Sequence, residues 1–371
     1  MGMELEEKHQ QSAAPPTPHL PKELWSVIGG HLDSHIDLLR FRSVCSSWRS
    51  LPIPRNSRQP EFPLVVPSFT YPMTSVSLVR FIVYRLEPSD EGGSPQGWLI
   101  KVDESHPGSP RLISTVSQRP IKYKPANFPQ TVKFNEFRVS EVCREYVIGR
   151  NSSKVVFLRD YLRHGLRNCV AFALTREGSL RYWRYGDDHW KAPVWEGTSM
   201  EVAYDDLSIR DRQVYAVDRF GTVHWIDSCH RAVQFSPPLC GVGQKKHLLE
   251  YLGDLYVVDR YEQDYNCQES QHPRLCCYRT IDFKLYRLDQ EWGKWDEINE
   301  LRGMVMFIGE SSSFCISMDG FSRCGENRIY FTEKGRCGLF EGKVYVFDLV
   351  DRSVKRLVSM PECWRTLWPV F

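Results

Sequence analysis

The chain has no apolar run near the roughly 20 residues needed to span a bilayer. It has almost no net charge: 48 Lys and Arg against 46 Asp and Glu leave +2. So weak a field favours neither nucleic acid nor an anionic membrane as partner. Residues Met1–Pro18 are polar and lack the apolar stretch of a signal peptide. Gly2 follows Met1, but Glu6 stands where a myristoylation motif needs Ser or Thr. Catalytic signatures are equally scarce. There is no G-x-S-x-G elbow and no G-x-x-x-x-G-K-[ST] phosphate loop. Gly241-Val242-Gly243 is a bare G-x-G and reads as a turn. Asp187-Asp188 and Asp205-Asp206 are adjacent in sequence, not the spaced carboxylates of a glycosidase. Neighbours in a strand point to opposite faces, and carboxylates in turns bond backbone amides.

The chain holds 12 cysteines, but no paired C-x-x-C spacing. Cys267, His272, Cys276 and Cys277 cluster without the arrangement of structural zinc, so a loop with incidental thiols is expected. The other cysteines are scattered, and Cys169 and Cys315 lie in apolar strands. They read as reduced, buried thiols of an intracellular protein, in the nucleus or cytoplasm or both. No metal and no cofactor is expected.

What the chain does have is 42% hydrophobic and 13% aromatic residues, enough for one large domain and a small one. Residues 1–18 are polar and proline-rich and read as a disordered tail. Residues 19–54 carry helical periodicity. Pro21 suits a first helical turn. Leu24, Ile28 and Leu32 follow at i, i+4 and i+8 and share one face. Gly29 and Gly30 cost a helix about 1 kcal/mol each against Ala, so the helix ends or kinks there. Asp33 and Ser34 are good caps for a second helix. There Leu38, Phe41, Cys45 and Trp48 fall on one face, widened by Leu39 and Val44, until Pro52 and Pro54 stop it. A segment this short, with more apolar face than it can bury, asks for a partner.

Residues 55–61 form a polar linker. From Phe62 onward the helical period vanishes, and short β-type runs alternate with Gly, Asp, Asn and Pro turns. The runs pair: Val170–Leu174 with Ser179–Tyr185, Gln213–Asp218 with Thr222–Ile226, His247–Tyr251 with Asp254–Asp259, Phe283–Asp289 with Trp295–Ile298, and Arg328–Thr332 with Lys343–Leu349. Hairpins near Val170, Val214 and Leu255 recur at about 40 residues, the spacing of a propeller blade. A single hairpin is marginal, so such units must pack side by side. The expected architecture is therefore a small all-α segment followed by an all-β domain over residues 62–371, a β-propeller of five or six blades. Phe62–Val66 would pair with the last blade and close the circle. Strand aromatics such as Tyr182, Trp183, Trp190, Trp225, Tyr330 and Phe331 are expected mostly in the core.

Two resemblances add to this. Leu20-Pro21-x-Glu23-Leu24, then Ile28, Leu32 and Leu38-Leu39, then Arg42-x-Val44-Cys45-x-x-Trp48-Arg49-x-Leu51, resembles an F-box. That resemblance implies binding to a Skp-type adaptor and, through it, to a cullin-based ubiquitin ligase. The implied adaptor-binding residues are Leu20, Pro21, Leu24, Ile28, Leu32, Leu38, Leu39, Val44, Cys45, Trp48 and Leu51. The body in turn resembles the C-terminal, kelch-like domain of a large class of plant F-box proteins. Gly97-Trp98-Leu99, Val214–Asp218, Leu248–Arg260, Asn327-x-Ile329-Tyr330-Phe331 and Val344–Leu349 carry that likeness in order. Glu333-Lys334, where the class more often shows an acidic pair, and the ending Cys363–Phe371 depart from it.

Two function classes follow. In one, the chain is a substrate receptor whose helices hold the adaptor and whose β domain holds an unidentified target protein. In the other, the β domain binds a ligand, catalyses, or inhibits a partner by binding alone, and the helices only control turnover. The complete docking segment and the missing catalytic parts favour the first.

Overall fold

The computed structural model describes residues 21, 24–25, 27–28, 32, 35–50, 62–69, 74–88, 98–103, 105, 111–116, 120, 137–148, 154–159, 169–195, 202–265, 277–309, 311, 313–318, 325–334 and 340–357. The chain divides into two compact units, Met1–Gln59 and Pro60–Phe371.

The first unit is helical at Leu24-Trp25 and Val27-Ile28, then in α1 (His35–Ser43) and α2 (Ser46–Ser50). The second helix, read from the sequence as carrying its apolar face on to Trp48, breaks at Val44-Cys45 into α1 and α2. After α1 the chain tightens: the Val44 amide donates to the Phe41 carbonyl at 3.3 Å, and the Ser43 hydroxyl to the Arg40 carbonyl at 2.7 Å. A serine hydroxyl bonded back to its own helix competes with the next helical turn.

The second unit is built of mostly antiparallel sheets. The first contains β1 (Leu64–Pro67), β2 (Ser75–Pro88), β3 (Trp98–Asp103), β4 (Arg111–Ile113), β5 (Phe137–Ile148), β6 (Lys154–Arg159), β7 (Cys169–Leu174) and β8 (Leu180–Arg184), in the order β4-β3-β2-β5-β6-β7-β8. β1 pairs with β2, Leu64 opposite Leu78. The expectation that this strand joins the last blade is therefore wrong. It lies on the edge of β2 that also carries β3, where its Leu64 and Val66 join the same cluster as Leu78. The second sheet holds β9 (Val194–Trp195), β10 (Tyr204–Arg210), β11 (Gln213–Asp218), β12 (Val223–Ile226) and β13 (Arg231–Gln234), with β9 parallel to β13. The third runs β14 (Lys245–Tyr251), β15 (Asp254–Tyr265), β16 (Cys277–Asp289) and β17 (Lys294–Ile298) in simple succession. The fourth holds β18 (Met304–Ile308), β19 (Ser313–Ser317), β20 (Arg328–Lys334), β21 (Phe340–Asp348) and β22 (Ser353–Arg356), ordered β19-β18-β20-β21-β22, with β18 parallel to β20. All five hairpins read from the sequence are present.

Side-chain alternation explains how the sheets join. In β11, Val214 and Ala216 face the first sheet, and Tyr215 and Val217 face the third. In β15, Leu255 and Val257 face the second sheet, and Tyr256 and Val258 the fourth. In β18, Met304, Met306 and Ile308 face the third sheet, and Val305 and Phe307 pack on Val83 and Leu99 of the first. Each sheet thus has two buried faces, and its strands read as continuous apolar runs. The contacts run from the first sheet round to the fourth and back to the first. This is the build of a β-propeller. β5, β6, β10, β14 and β19 follow one another along its inner side.

Candidate functional site

Among the described residues, the helical unit has a small core. Trp25 and Phe41 are buried, and Trp48 bridges them, its ring 6.1 Å from Trp25 and 4.4 Å from Phe41. Sequence spacing missed Trp25, which lies one residue off the Leu24–Ile28 face. Around this core the unit exposes Leu24 (48%), Val27 (55%), Ile28 (36%), Leu39 (36%) and Val44 (62%). Pro21 and Cys45 are exposed too, and Leu32, Leu38 and Trp48 are half-buried. The residues expected to bind an adaptor therefore fall in two groups. Leu24, Ile28, Leu39 and Val44 present apolar surface, whereas Trp48 belongs to the core. Leu20 and Leu51 lie outside the described residues. Asp37 in the first turn of α1 and Arg40 and Arg42 in its last suit the helix dipole.

In the β unit, charges gather along the inner strands. Lys154 Nζ of β6 lies 2.5 Å from Asp206 Oδ1 of β10. Asp205 Oδ2 accepts from the Lys246 amide and Asp206 Oδ2 from the Leu248 amide, each at 2.9 Å. Both carboxylates thus reach amides of the next sheet, not the opposite faces that strand alternation suggests, and Asp206 Oδ1 also accepts from the Leu207 amide of its own strand at 2.8 Å. Burial pushes the Asp205 carboxyl above its ordinary range, against the bond from Lys246. His247 and Ser313 complete a Ser–His–Asp cluster that no motif announces. His247 Nδ1 is 3.4 Å from Ser313 Oγ and 3.9 Å from Asp206 Oδ2. One nitrogen faces both partners, whereas a relay uses opposite nitrogens of the ring. The Asp206 carboxylate is also spent on Lys154 and backbone amides. The cluster joins strands and does not match the geometry of a nucleophile with its base.

Next to it, Asp259 is fully buried, with Lys246 Nζ at 2.6 Å and the Gly243 amide donating at 3.1 Å. Gly241-Val242-Gly243 is an irregular loop rather than the expected turn, and it wraps this carboxylate. No group of three or more His, Cys, Asp or Glu among the described residues could hold a metal ion. Cys277 is placed only in its backbone, and its three neighbours in the suggested cluster lie outside the described residues. Cys169 is buried, but Cys45, Cys229 and Cys240 are exposed free thiols, so the reading of these cysteines as buried fails. They sit in turns and in the helix break, where no strand face covers them. Of the strand aromatics, Trp183, Tyr330 and Phe331 are buried and Tyr182, Trp190 and Trp225 pack on core clusters.

The described cleft of the β unit lies where β16 meets β22. It encloses about 370 Å³ and is lined by Gln263, Asp264, Arg279, Thr280, Ile281 and Val354. Behind it the buried Arg260 donates to Thr280 Oγ1 at 2.9 Å and to the Thr332 carbonyl at 3.2 Å.

A small helical unit with an open apolar face ahead of a closed ring of sheets is the build of a plant F-box protein with a β-propeller domain. The chain belongs to the KIB1-4 beta-propeller family, whose family model matches residues 71–348. It is 28% identical to F-box protein SKIP23 of Arabidopsis thaliana, over 94% of this chain and 93% of that one. It is 29% identical to F-box protein At4g35733 of the same plant, over 94% and 97%. Putative F-box protein At1g65770, also from Arabidopsis thaliana, is 28% identical over 87% and 90%.

Proposed function

We propose that this chain is the substrate-recognition subunit of a SKP–cullin–F-box ubiquitin ligase, working in the nucleus or cytoplasm. In this reading residues 19–54 are the F-box and bind the Skp-type adaptor, following a tail over 1–18. A linker over 55–61 leads to the recognition domain at 62–371. The observation that carries the proposal is the exposure of Leu24, Val27, Ile28, Leu39 and Val44 around a core in which, among the described residues, three aromatic rings meet. Covering about 100 Å² of such surface stabilises an interface by roughly 2.5 kcal/mol before ordering costs. Leu20, Pro21, Leu32, Leu38, Cys45, Trp48 and Leu51 complete the adaptor-binding set, with Trp48 holding the face from beneath.

The β domain is read as five blades, one for each inner strand β5, β6, β10, β14 and β19, and holds the target protein. Ubiquitin transfer then belongs to other subunits, and this chain supplies proximity, which raises the effective concentration of target lysine and charged carrier. The test is co-purification with a Skp-type adaptor. Leu24→Ala with Val44→Ala removes exposed side chains only, so the fold should stay and adaptor recovery should fall about tenfold or more. Undiminished recovery would sink the proposal. Trp48→Ala is the poorer choice, because it also removes the core.

A further inference from the structure

The third sheet is not trimmed to its neighbours. β14 stops pairing at Lys245 opposite Arg260, and β17 stops at Ile298 opposite Leu285. β15 and β16 continue as a two-stranded arm, Tyr261–Tyr265 against Cys277–Asp282. Free strand edges invite unwanted pairing. Here side chains cap them: Gln244 Oε1 accepts from the Glu262 amide at 2.7 Å, and Glu333 Oε1 from the Thr280 amide at 3.0 Å. Arg352 Nη2 donates to the Phe283 carbonyl at 2.9 Å. The arm is thus protected against strand addition, and whatever it holds must be held by side chains.

The arm also carries a bulge. Tyr261 pairs with Asp282 and Glu262 with Thr280, so Ile281 has no counterpart. Bulges re-aim side chains. This one leaves Ile281 47% exposed, lining the cleft with Val354. Tyr278 is 44% exposed on the same strand. Around this apolar floor stand Gln263, Asp264 and Arg279. Glu262 is paired with Arg260, and Asp282 with Arg352, but Asp264 and Arg279 form no ion pair among the described residues. The Gln263 amide and Asp264 carboxylate of β15 and the Arg279 guanidinium of β16, which lies across from Gln263 and within the field of Glu333, offer donors and acceptors that match those of a peptide backbone. A small anion would meet Arg279 but be repelled by Asp264.

We propose that this cleft holds the target protein as an extended peptide segment. An aliphatic side chain of that segment seats on Ile281 and Val354, its amides meet Asp264, and its carbonyls meet Arg279. The inference rests on the receptor reading above and names the part of the β domain that does the gripping. The surface continues over the loop that Gln244 ties to the arm, where Val242 is 82% exposed and Phe220, bonded to the same loop through Leu239, is 72% exposed.

The test uses the full chain with a Skp-type adaptor as bait for a phage-displayed library of random linear peptides. Selected peptides should bind the wild-type complex. Arg279→Glu, a surface change, and Ile281→Asp should each weaken them about tenfold or more, with melting temperature and adaptor recovery unchanged. Equal binding to both variants would overturn the proposal, as would a selection that yields no binder. So would concentration-dependent self-association abolished by Ile281→Asp, which would make a second copy the occupant. Adaptor recovery, measured in parallel, reports on the receptor reading alone.

Discussion

Asp259 shows how tightly one residue can constrain its neighbours. A buried carboxylate needs a partner and further hydrogen bonds. Asp259 finds Lys246 at 2.6 Å and the Gly243 amide at 3.1 Å, and Lys246 in turn donates to the Gly243 carbonyl at 2.7 Å. The loop must come so close that a Cβ on Gly241 or Gly243 would strike the carboxylate, and one on Gly243 would also stand 2.7 Å from the Arg260 carbonyl. The glycines are needed here for space, not for dihedral freedom. Gly243→Ala should therefore cost about 1–3 kcal/mol, the range for overpacking a site that cannot relax. Urea unfolding would measure it, with the exposed Val242→Ala as the control that should change little. A Gly243→Ala protein as stable as wild type would mean that the loop can move off the carboxylate.

At the scale of elements, His230 ties several strands together. It lies in the β12–β13 turn, packs at a tilt against Tyr182 of β8 at 4.2 Å, stacks on Phe172 of β7 at 5.8 Å, and its carbonyl accepts from the Val194 amide of β9 at 3.1 Å. Arg184 Nη2 is 3.1 Å from His230 Nδ1, so the folded ring must accept there and stay neutral. Burial, then the Arg184 charge, hold its pKa below the ordinary 6.5, and burial lowers that of His224 too. The unfolded chain binds protons at these rings first. Stability is thus complete above about pH 6.5 and is lost as pH falls toward the depressed values. Melting temperature should drop as pH falls below about 6.5, with a shallower slope in His230→Gln; an unchanged slope would show that His230 carries none of this dependence. Asp205 and Glu333, both raised by burial, act with the opposite sign in the carboxylate range. Hairpins were legible in the sequence because turn and strand signals are local: Arg219-Phe220-Gly221 turns, and apolar runs flank it. The seams were not. Asp206 reaches Leu248 across 42 positions and His247 reaches Ser313 across 66, and no spacing rule spans such gaps. Nor could the four residues of β1 disclose their edge, since Leu-Val-Val-Pro suits almost any. On the helical unit the exposed Leu24, Ile28, Leu39 and Val44 followed from periodicity, but Val27 and the buried Trp25 did not, Trp25 packing against Trp48 across the helix break.

Over the whole β unit, closure depends on one apolar seam. The first and last sheets share a cluster in which Val83 and Leu99 meet Val305, Phe307, Tyr330 and Val346. Phe307 stacks on Phe314 at 4.9 Å and on Tyr330 at 5.3 Å, and it is 1% exposed. β1 takes no part in this seam, so removing it trims the first sheet and leaves the ring shut. Phe307→Ala should cost about 3–5 kcal/mol through lost burial and the cavity left behind. Leu99→Ala, on the other side of the same seam, should cost about 2–5 kcal/mol alone. The two cavities share one space, so the double variant should depart from additivity by about 0.5 kcal/mol or more. Phe172→Ala opens the separate seam between the first and second sheets, where Phe172 meets Leu207 and Ala216. Its effect should simply add to that of Phe307→Ala. Urea unfolding of the three single and two double variants measures both couplings. Additivity of Leu99 with Phe307 would mean that the ring does not close through this cluster.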